Sequence, residues 1–463
     1  LLSPEQVFDA MDPRYEEFRR SLWSGSQQAL KPAVVVQPRD AIQLAQVLNY
    51  CARTQTTFNV KSGGHGHSGI NGGVQLDLAR LNDVVVDPAR SSVRVGAGNT
   101  WLAVYQKLEK MGLIAVGGRA ATVGVGGFIL GGGISFHAAR YGWSIDNVRS
   151  FEVALVDGTV VTASRESKPD LFQALRGGGL NFGIVASFEL ELYPYRGMWG
   201  GPRMLDPVHI PQAIDAFLDF IPKLRADPKG HNILSLFHDG EAVQVAQFLA
   251  YTEPVNNPPM FDQLRNIPST SESLEVTDLT VLAKAVAESQ AGDGARQSLS
   301  TVTVKPDRQL LELACSLFEQ EAANLSRIAQ TTLEIHLLPP PFRLKDDCYG
   351  FSTTEEASIV LVFAFSTQED VHDATVTRAQ QKIIQKLKDA SRPRGLLNPF
   401  LYMNYAAKWQ NVHGTYGTEN VNFLKKVASA YDPERVFQQL QPGPYKLWEA
   451  QPCTRFDHNR IAA

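Results

Sequence analysis

A histidine stands inside a loop of small residues, Lys61-Ser62-Gly63-Gly64-His65-Gly66-His67-Ser68-Gly69, directly after the apolar stretch Phe58 to Val60. Glycines that follow a strand expose backbone N–H groups with no Cβ to shield them, and such nests bind phosphate oxygens. The neutral imidazole adds a nucleophile that is available near pH 7. Two more glycine-dense runs follow, Thr122-Val123-Gly124-Val125-Gly126-Gly127-Phe128-Ile129-Leu130-Gly131-Gly132-Gly133 and Arg176-Gly177-Gly178-Gly179-Leu180-Asn181-Phe182-Gly183-Ile184-Val185. Singly, such runs mark turns or tight packing. As an ordered set they point to a cradle for the diphosphate of a nucleotide cofactor. Gly64 to Gly69 also has the G-x-G-x-x-G spacing, but Ile70-Asn71-Gly72-Gly73 stands where that motif needs a helix, so the Rossmann reading fails on context.

Proton chemistry has fewer candidates. In Tyr402-Met403-Asn404-Tyr405 an extended chain would put Tyr402 and Asn404 on one face. Tyr402 serves as a base only if its pKa falls well below the usual ~10, and is otherwise a hydrogen-bond donor. Tyr405 is expected to be a core aromatic. Glu334 and His336 alternate on one predicted strand and therefore share a face. Either has the chemistry to take a proton, although polar residues on a half-exposed sheet face are usually solvated. His137, in Ser135-Phe136-His137, is a further pocket candidate. His65 and His67 form a His-x-His pair, but no third ligand lies at a supporting spacing, so no metal is expected and His67 reads as a polar residue beside the cofactor. The cysteines at 51, 315, 348 and 453 are equally scattered.

These residues need elements to carry them. Asp40 to Arg53 repeats apolar residues at helical spacing, with Ile42, Ala45, Leu48 and Cys51 on one face. Short strands are predicted at Phe58 to Val60, Val74 to Leu78, Val84 to Val86 and Val93 to Val95, and Thr100 caps a helix that ends at Gly112. Further strands at Phe151 to Val156, Val160 to Ala163 and Ile184 to Tyr193 bracket a helix from Asp170 to Arg176. After Pro194 the pattern changes. Ile233 to Phe237 and Val243 to Tyr251 predict a hairpin across Asp239-Gly240, with later strands at Leu333 to Leu338 and Ile359 to Phe365. Helices near 278 to 290, 307 to 326 and 370 to 391 back this sheet, and Glu253 to Ser273 reads as a surface loop.

A chain of 463 residues exceeds one ordinary core. Its 44% hydrophobic and 20% charged residues suit a globular protein, and a formal charge of −4 leaves no basic excess for nucleic acid. No apolar stretch approaches the ~20 residues of a membrane span. Sparse cysteine and no leader ahead of Leu1 lean toward the cytoplasm, a removed leader being the alternative.

With Ser62-Gly63-Gly64-His65, Val123-Gly124-Val125-Gly126-Gly127, Tyr141-Gly142 before Asp146-Asn147-Val148, Asn181 to Val185, and Tyr402 to Tyr405 with Tyr431-Asp432-Pro433 behind it, the chain resembles a known family. It is similar to the FAD-linked oxidases of the vanillyl-alcohol-oxidase (PCMH) type, in the branch of berberine bridge enzyme and 6-hydroxynicotine oxidase. The resemblance implies an α+β fold: a PCMH-type FAD-binding domain of two α/β subdomains over 1–195, a substrate domain with an antiparallel sheet backed by helices over 196–394, and a segment over 395–463 that returns to the FAD domain. It implies FAD contacts from Ser62, Gly63, Gly64, His65, Gly66, His67, Ser68, Thr122, Val123, Gly124, Gly126, Gly127, Gly131, Asn147, Gly183, Ile184, Val185, Tyr402 and Asn404. The histidine matching His65 bonds the 8α carbon of the flavin in that family, which makes the ring a better hydride acceptor.

Many relatives add a second link through a cysteine where this chain has Ala120, so a single attachment is expected. His137 stands where relatives are typically apolar. Pro339-Pro340-Pro341-Phe342 replaces the Pro-Tyr-Gly-Gly-like turn that relatives commonly carry, which leaves a catalytic carboxylate on the Glu334 strand without family support. The implied activity is that of an oxidase, taking a hydride from a small alcohol, amine or heterocycle of secondary metabolism, with dioxygen as reoxidant. A dehydrogenase, a redox-neutral cyclase or isomerase, and a non-catalytic flavin-binding protein stay open. The sequence leaves the oligomeric state undecided.

Overall fold

The structure, a computed structural model, describes residues 2–66, 68–290, 294–338, 348–350 and 357–450. His67, Cys453 and the Pro339 to Phe342 segment lie outside the described residues.

Three main sheets organise the molecule, giving an α+β fold. The first has four strands in the order Val7–Phe8, Val34–Val36, Val74–Asp77, Phe58–Lys61, with the last three parallel. The second is antiparallel, in the order Val84–Val86, Ser92–Gly96, Ile184–Glu191, Val148–Ala154, Val160–Ser164. Between them lies the helix Ala41–Arg53, capped by the Asp40 carboxylate on the Gln43 N–H and tied to the second sheet where Asn49 Nδ2 donates to the Val156 carbonyl at 2.9 Å. Its buried stripe is Ala41, Leu44, Ala45, Leu48 and Cys51. Ile42, expected on that stripe, is 62% exposed, because the buried face centres on Leu44 and Leu48 and leaves Ile42 off to one side.

The third sheet is a nine-stranded antiparallel array. Its path runs Ser269–Glu272, Met198–Leu205, Val243–Tyr251, Gly230–His238, Ala329–Leu338, Ser358–Thr367, Arg296–Val304, Leu397–Asn398, with Glu275–Thr277 also paired to Met198–Leu205. Helices Ile210–Ala226, Arg308–Leu325 and Asp373–Ser391 cover one face, where Phe217, Leu311, Phe318 and Ile383 pack on Leu333, Ile335, Leu361 and Phe363. Strand alternation sends Glu334 and His336 to the opposite face.

The predicted hairpin, the two later strands and the three predicted helices are present, but Leu279–Glu288, expected behind this sheet, packs instead against the helix Trp101–Glu109 and the strand Met198–Leu205, and Ile210–Ala226 takes its place in the covering layer. Glu253 to Ser273, read as a loop, instead holds a helical turn at Asp262–Arg265 and the edge strand Ser269–Glu272, with Phe261 and Leu264 buried. Each piece is too short to show a period. Ile210–Ala226 escapes the sequence pattern because Pro211 and Pro222 punctuate it, and Met198–Leu205 because Gly200, Gly201 and Pro202 do.

The chain beyond 395 first adds the edge strand Leu397–Asn398 to the third sheet and then returns to the first. The Phe58 N–H donates to the Leu440 carbonyl at 3.0 Å, and Phe437 meets Phe58 edge-on with centroids 5.7 Å apart. No helix among the described residues is long and apolar enough to cross a membrane.

Candidate active site

Between the two smaller sheets and the uncovered face of the third lies a cleft of about 1330 Å³. That exceeds the roughly 300–1,000 Å³ of a drug-sized pocket and leaves room for a dinucleotide beside a small molecule. Its first wall is the glycine wall. The loop leaving Phe58–Lys61 runs against the second glycine run so tightly that a Cβ on Gly63 would lie 2.3 Å from the Gly124 nitrogen, and one on Gly124 would lie 2.2 Å from that of Gly63. Both positions therefore require glycine. Ser62 locks the junction, its hydroxyl donating to the Ala97 carbonyl at 2.6 Å and accepting from the Gly126 N–H at 3.1 Å.

Ser62, Gly63, Gly64, His65, Gly66 and Ser68 line the cleft from this loop, Val123, Gly124, Gly126, Gly127 and Gly131 from the second run, and Ile184 and Val185 from the third. A Cβ on Gly66 or Gly127 would meet nothing within 4 Å. The backbone there stands bare toward the cleft, as contact with a phosphate requires. The His65 ring stacks on Trp23, with centroids 5.0 Å apart and planes 12° apart.

Four expected residues sit elsewhere. Thr122 is exposed at the outer turn of its run. Asn147 is buried behind the wall, where its amide donates to the Tyr141 and Trp143 carbonyls and its carbonyl accepts from the Tyr193 hydroxyl at 2.6 Å. Gly183 lets two strands approach, since a Cβ there would lie 2.6 Å from Val153 Cγ1. His137 is buried outside the cleft lining, neither ring nitrogen has a hydrogen-bond partner among the described residues, and burial together with the Arg140 charge pushes its pKa down to about 3.

Tyr402 and Asn404 do come together on the cleft, by a different route from the one expected. Met403–Tyr405 is a turn of 3₁₀ helix rather than an extended strand, and Asn404 Nδ2 reaches Tyr402 Oη at 2.9 Å and the Phe128 carbonyl at 3.0 Å. A Cβ on Gly131 would fall 2.0 Å from Asn404 Oδ1, so glycine makes room for this amide. The Tyr402 oxygen also accepts the N–H groups of Gly133 and Ile134, each at 3.0 Å. Burial raises its pKa, the neighbouring Tyr405 adds to that, and the oxygen's lone pairs are taken. That is a brace for the 131–134 loop, not a base.

The opposite wall carries the polar chemistry. Glu334 and His336 share the cleft face of Ala329–Leu338, and His336 Nε2 lies 2.7 Å from Glu334 Oε2. His336 Nδ1 and, from the adjacent strand, His231 Nε2 each lie 3.0 Å from Arg119 Nη1. A guanidinium only donates, so both facing ring nitrogens are unprotonated acceptors, and His336 carries its proton on Nε2, toward Glu334. Arg119 Nη2 donates to the Tyr405 hydroxyl, and the Tyr405 ring stacks on His336 with centroids 5.5 Å apart. Arg119 is held in place from behind. A Cβ on Gly117 would fall 2.1 Å from the Trp101 ring, and Tyr105 Oη donates to the Gly118 carbonyl at 2.8 Å.

Burial and then the Arg119 charge lower the pKa values of both histidines, keeping them neutral. For Glu334, burial pulls the pKa upward, but the His336 hydrogen bond and the Arg119 charge outweigh it and leave the carboxyl below its ordinary range. Its side chain is 33% exposed, on the cleft. His336 is thus buried and Glu334 half-buried in a network, rather than freely solvated as their sheet position suggested. Tyr405, expected in the core, lines the cleft, and Arg119 and His231 were not singled out by the sequence. Arg119 sits beside Ala120, inside a stretch inspected for its missing cysteine. His231 begins a strand whose apolar alternation gives it no emphasis. Among the described residues no cluster of three or more histidine, cysteine or carboxylate groups could hold a metal ion.

Residues 32–164 match the family model of the FAD binding domain. The chain is 35% identical over 451 residues to FAD-dependent monooxygenase FUP4 of Fusarium proliferatum, covering 92% of this chain and 87% of that one. It is 34% identical to FAD-dependent monooxygenase tpcD of Cochliobolus heterostrophus, covering 92% and 86%. Among solved structures, 6-hydroxy-D-nicotine oxidase of Arthrobacter nicotinovorans superposes with a TM-score of 0.82 at 22% identity, over 96% of this chain and 98% of that one. Berberine bridge enzyme of Eschscholzia californica gives 0.77 at 17%, over 97% of each.

Proposed function

Because this chain belongs to the PCMH-type FAD-linked oxidoreductases, in the branch of berberine bridge enzyme and 6-hydroxynicotine oxidase, we propose that it oxidises a small organic molecule in the cleft, with FAD attached once, through His65. The observation that carries this reading is one cleft with a bare glycine wall around His65 on one side and the Glu334 carboxylate on the other. On this reading residues 1–195 and 395–463 hold the cofactor and 196–394 shape the substrate space, in keeping with the return of the Leu440 segment to Phe58. Ser62, Gly63, Gly64, Gly66, Ser68, Val123, Gly124, Gly126 and Gly127 would cradle the nucleotide, and Tyr402 and Asn404 would fix the loop against which the ring system lies. When bound, the flavin supplies a two-electron acceptor that dioxygen can reoxidise to give hydrogen peroxide.

The protein moves the proton. Glu334 is ionised, borders the cleft and has one oxygen pinned by His336, so the other is the acceptor for a substrate O–H or N–H proton as hydride leaves the adjacent carbon. His336 is a positioning residue, with both nitrogens engaged. The Tyr405 hydroxyl accepts from Arg119 and keeps its own hydrogen for a substrate oxygen.

Precipitation with trichloroacetic acid tests the attachment. Wild-type protein should carry its flavin into the pellet on one peptide, that of His65, and His65→Ala should release it. Complete release from wild type would end the covalent reading. The names of the curated relatives favour a second reading, monooxygenation. Turnover under ¹⁸O₂ separates the two: an oxidase places no label in the organic product, whereas a monooxygenase places one atom there.

A further inference from the structure

Arg119 brings a positive charge into the cleft wall, only 7% exposed, with no carboxylate in ion-pair contact among the described residues. Its partners are two neutral imidazoles and a phenol. Glu334 reaches it only through His336, and Lys61, another cation that lines the cleft, is already paired with Asp77 at 3.1 Å. A buried cation held by neutral acceptors alone is costly, and an anion is what relieves it. Hydrogen-bond counting leads to the same place. A guanidinium has five N–H groups, of which Nη1 spends two on His231 and His336 and Nη2 spends one on Tyr405. The Nε–H and the second Nη2–H have no acceptor among the described residues, and Arg119 lines the cleft. The surrounding wall mixes apolar side chains, Ile233, Phe248, Leu299 and Val362, with polar ones such as Ser235 and Thr332, none of which takes these two donors among the described residues.

We propose that the cleft takes a substrate bearing an acidic oxygen, a carboxyl group or an ionisable phenol or enol, and that Arg119 holds its oxyanion with the two unspent N–H groups. This rests on the oxidoreductase reading in one respect, that the cleft is where substrate binds. Held there, the oxyanion orients the remainder of the molecule along the apolar wall, with Glu334 one histidine away to receive a proton. Arg119 thereby determines specificity, rejecting neutral analogues that leave its charge unrelieved.

Calorimetric titration of the purified holoenzyme with matched probes tests this: benzoate against benzamide, and 4-nitrophenolate against nitrobenzene, at a pH where both acids are ionised. At least one anion should bind about 10- to 100-fold tighter than its neutral isostere, the size of a charge-assisted hydrogen-bond pair. Preference within the benzoate pair alone assigns a carboxylate, and within the nitrophenolate pair alone an ionised hydroxyl. Arg119→Met keeps the packing of the stem and should erase the ratio by weakening the anion; Arg119→Gln serves if the methionine variant does not fold. Equal affinities within both pairs, no measurable binding of either anion, or a preference that survives loss of the charge overturns the proposal. Calorimetry reads binding alone, so a protein that turned out to be redox-inert would still pass or fail here independently.

Discussion

Along the glycine wall the limiting contact is backbone on backbone, Gly63 against Gly124, whereas along the sheet wall it is a guanidinium between two imidazoles. The first surface is shaped by side chains that are missing and, at the Gly63–Gly124 contact, has no room for an added carbon. The second is shaped by side chains that are present and depend on one another for charge and hydrogen bonds. On the proposed function one surface would grip by shape and the other act by proton and charge. The two should fail in different ways: additions should damage the first, and deletions of a charge should damage the second.

The largest effect should come from the sheet wall. Glu334→Gln keeps the size of the side chain and a contact for His336 but removes the proposed base, so anaerobic flavin reduction should slow by ~100- to 10,000-fold with flavin content unchanged. A rate equal to wild type would remove Glu334 from the chemistry and leave Tyr405 to be tested. The mirror experiment is Gly124→Ala. Its Cβ would overlap the Gly63 backbone, which has no rotamer to yield, so a loss of about 1–3 kcal/mol in stability and a lower flavin content are expected. Full flavin occupancy with an unchanged melting temperature would show that the wall is more compliant than its contacts imply.

Tyr402→Phe sits at the border of the two surfaces and sharpens the contrast. Removing the oxygen orphans the N–H groups of Gly133 and Ile134 and costs about 1–3 kcal/mol, while the reductive rate changes by no more than roughly tenfold, because a brace and not a base is lost. A loss of several hundredfold at normal stability would reverse that assignment. Mild acid is the gentlest probe. The pKa values of His231 and His336 are held below the ordinary 6.5, those of His413 and His137 are lowered to about 4 and about 3, and burial is the first cause in each case. The unfolded chain therefore binds more protons than the folded one below the ordinary imidazole range, so stability falls as pH drops through it. Glu334, with its pKa lowered, contributes above the ordinary carboxyl range near 4.5 and loses that contribution as pH falls through it. Melting temperatures should decline from about pH 7 to about pH 5, and a flat profile would contradict the burial of these rings.

The asymmetry also explains what the sequence disclosed. A requirement for glycine is local, so three runs of it announced the glycine wall, and the period of Ala41–Arg53 announced its helix even though Ile42 fell on the wrong side. The sheet wall is assembled from residues 119, 231, 334, 336 and 405, whose meeting depends on strand order and on the path of the chain around Trp101. No short window contains it. Glu334 and His336 were visible because a strand alternates; Arg119, His231 and the true place of Tyr405 were not. The prolines of Ile210–Ala226 hid a helix for a local reason, by interrupting a pattern that the packing of Phe217 and Phe220 restores.

The bond from Phe58 to Leu440 has a consequence for how the protein is born. A ribosome delivers residues 58–66 long before 402–440, and domains fold as they emerge. Here the strand that presents His65 gains its parallel neighbour Val74–Asp77 early, but its hydrogen bond to Leu440, its aromatic neighbour Phe437 and the Tyr402 brace of the facing loop come only after nearly all the chain has been synthesised. Completion of the wall around His65 should thereby fall at the end of translation, and a chain cut short before Leu440 would leave the ribosome with every glycine of that wall in place and without the contacts of Leu440 and Phe437 behind it.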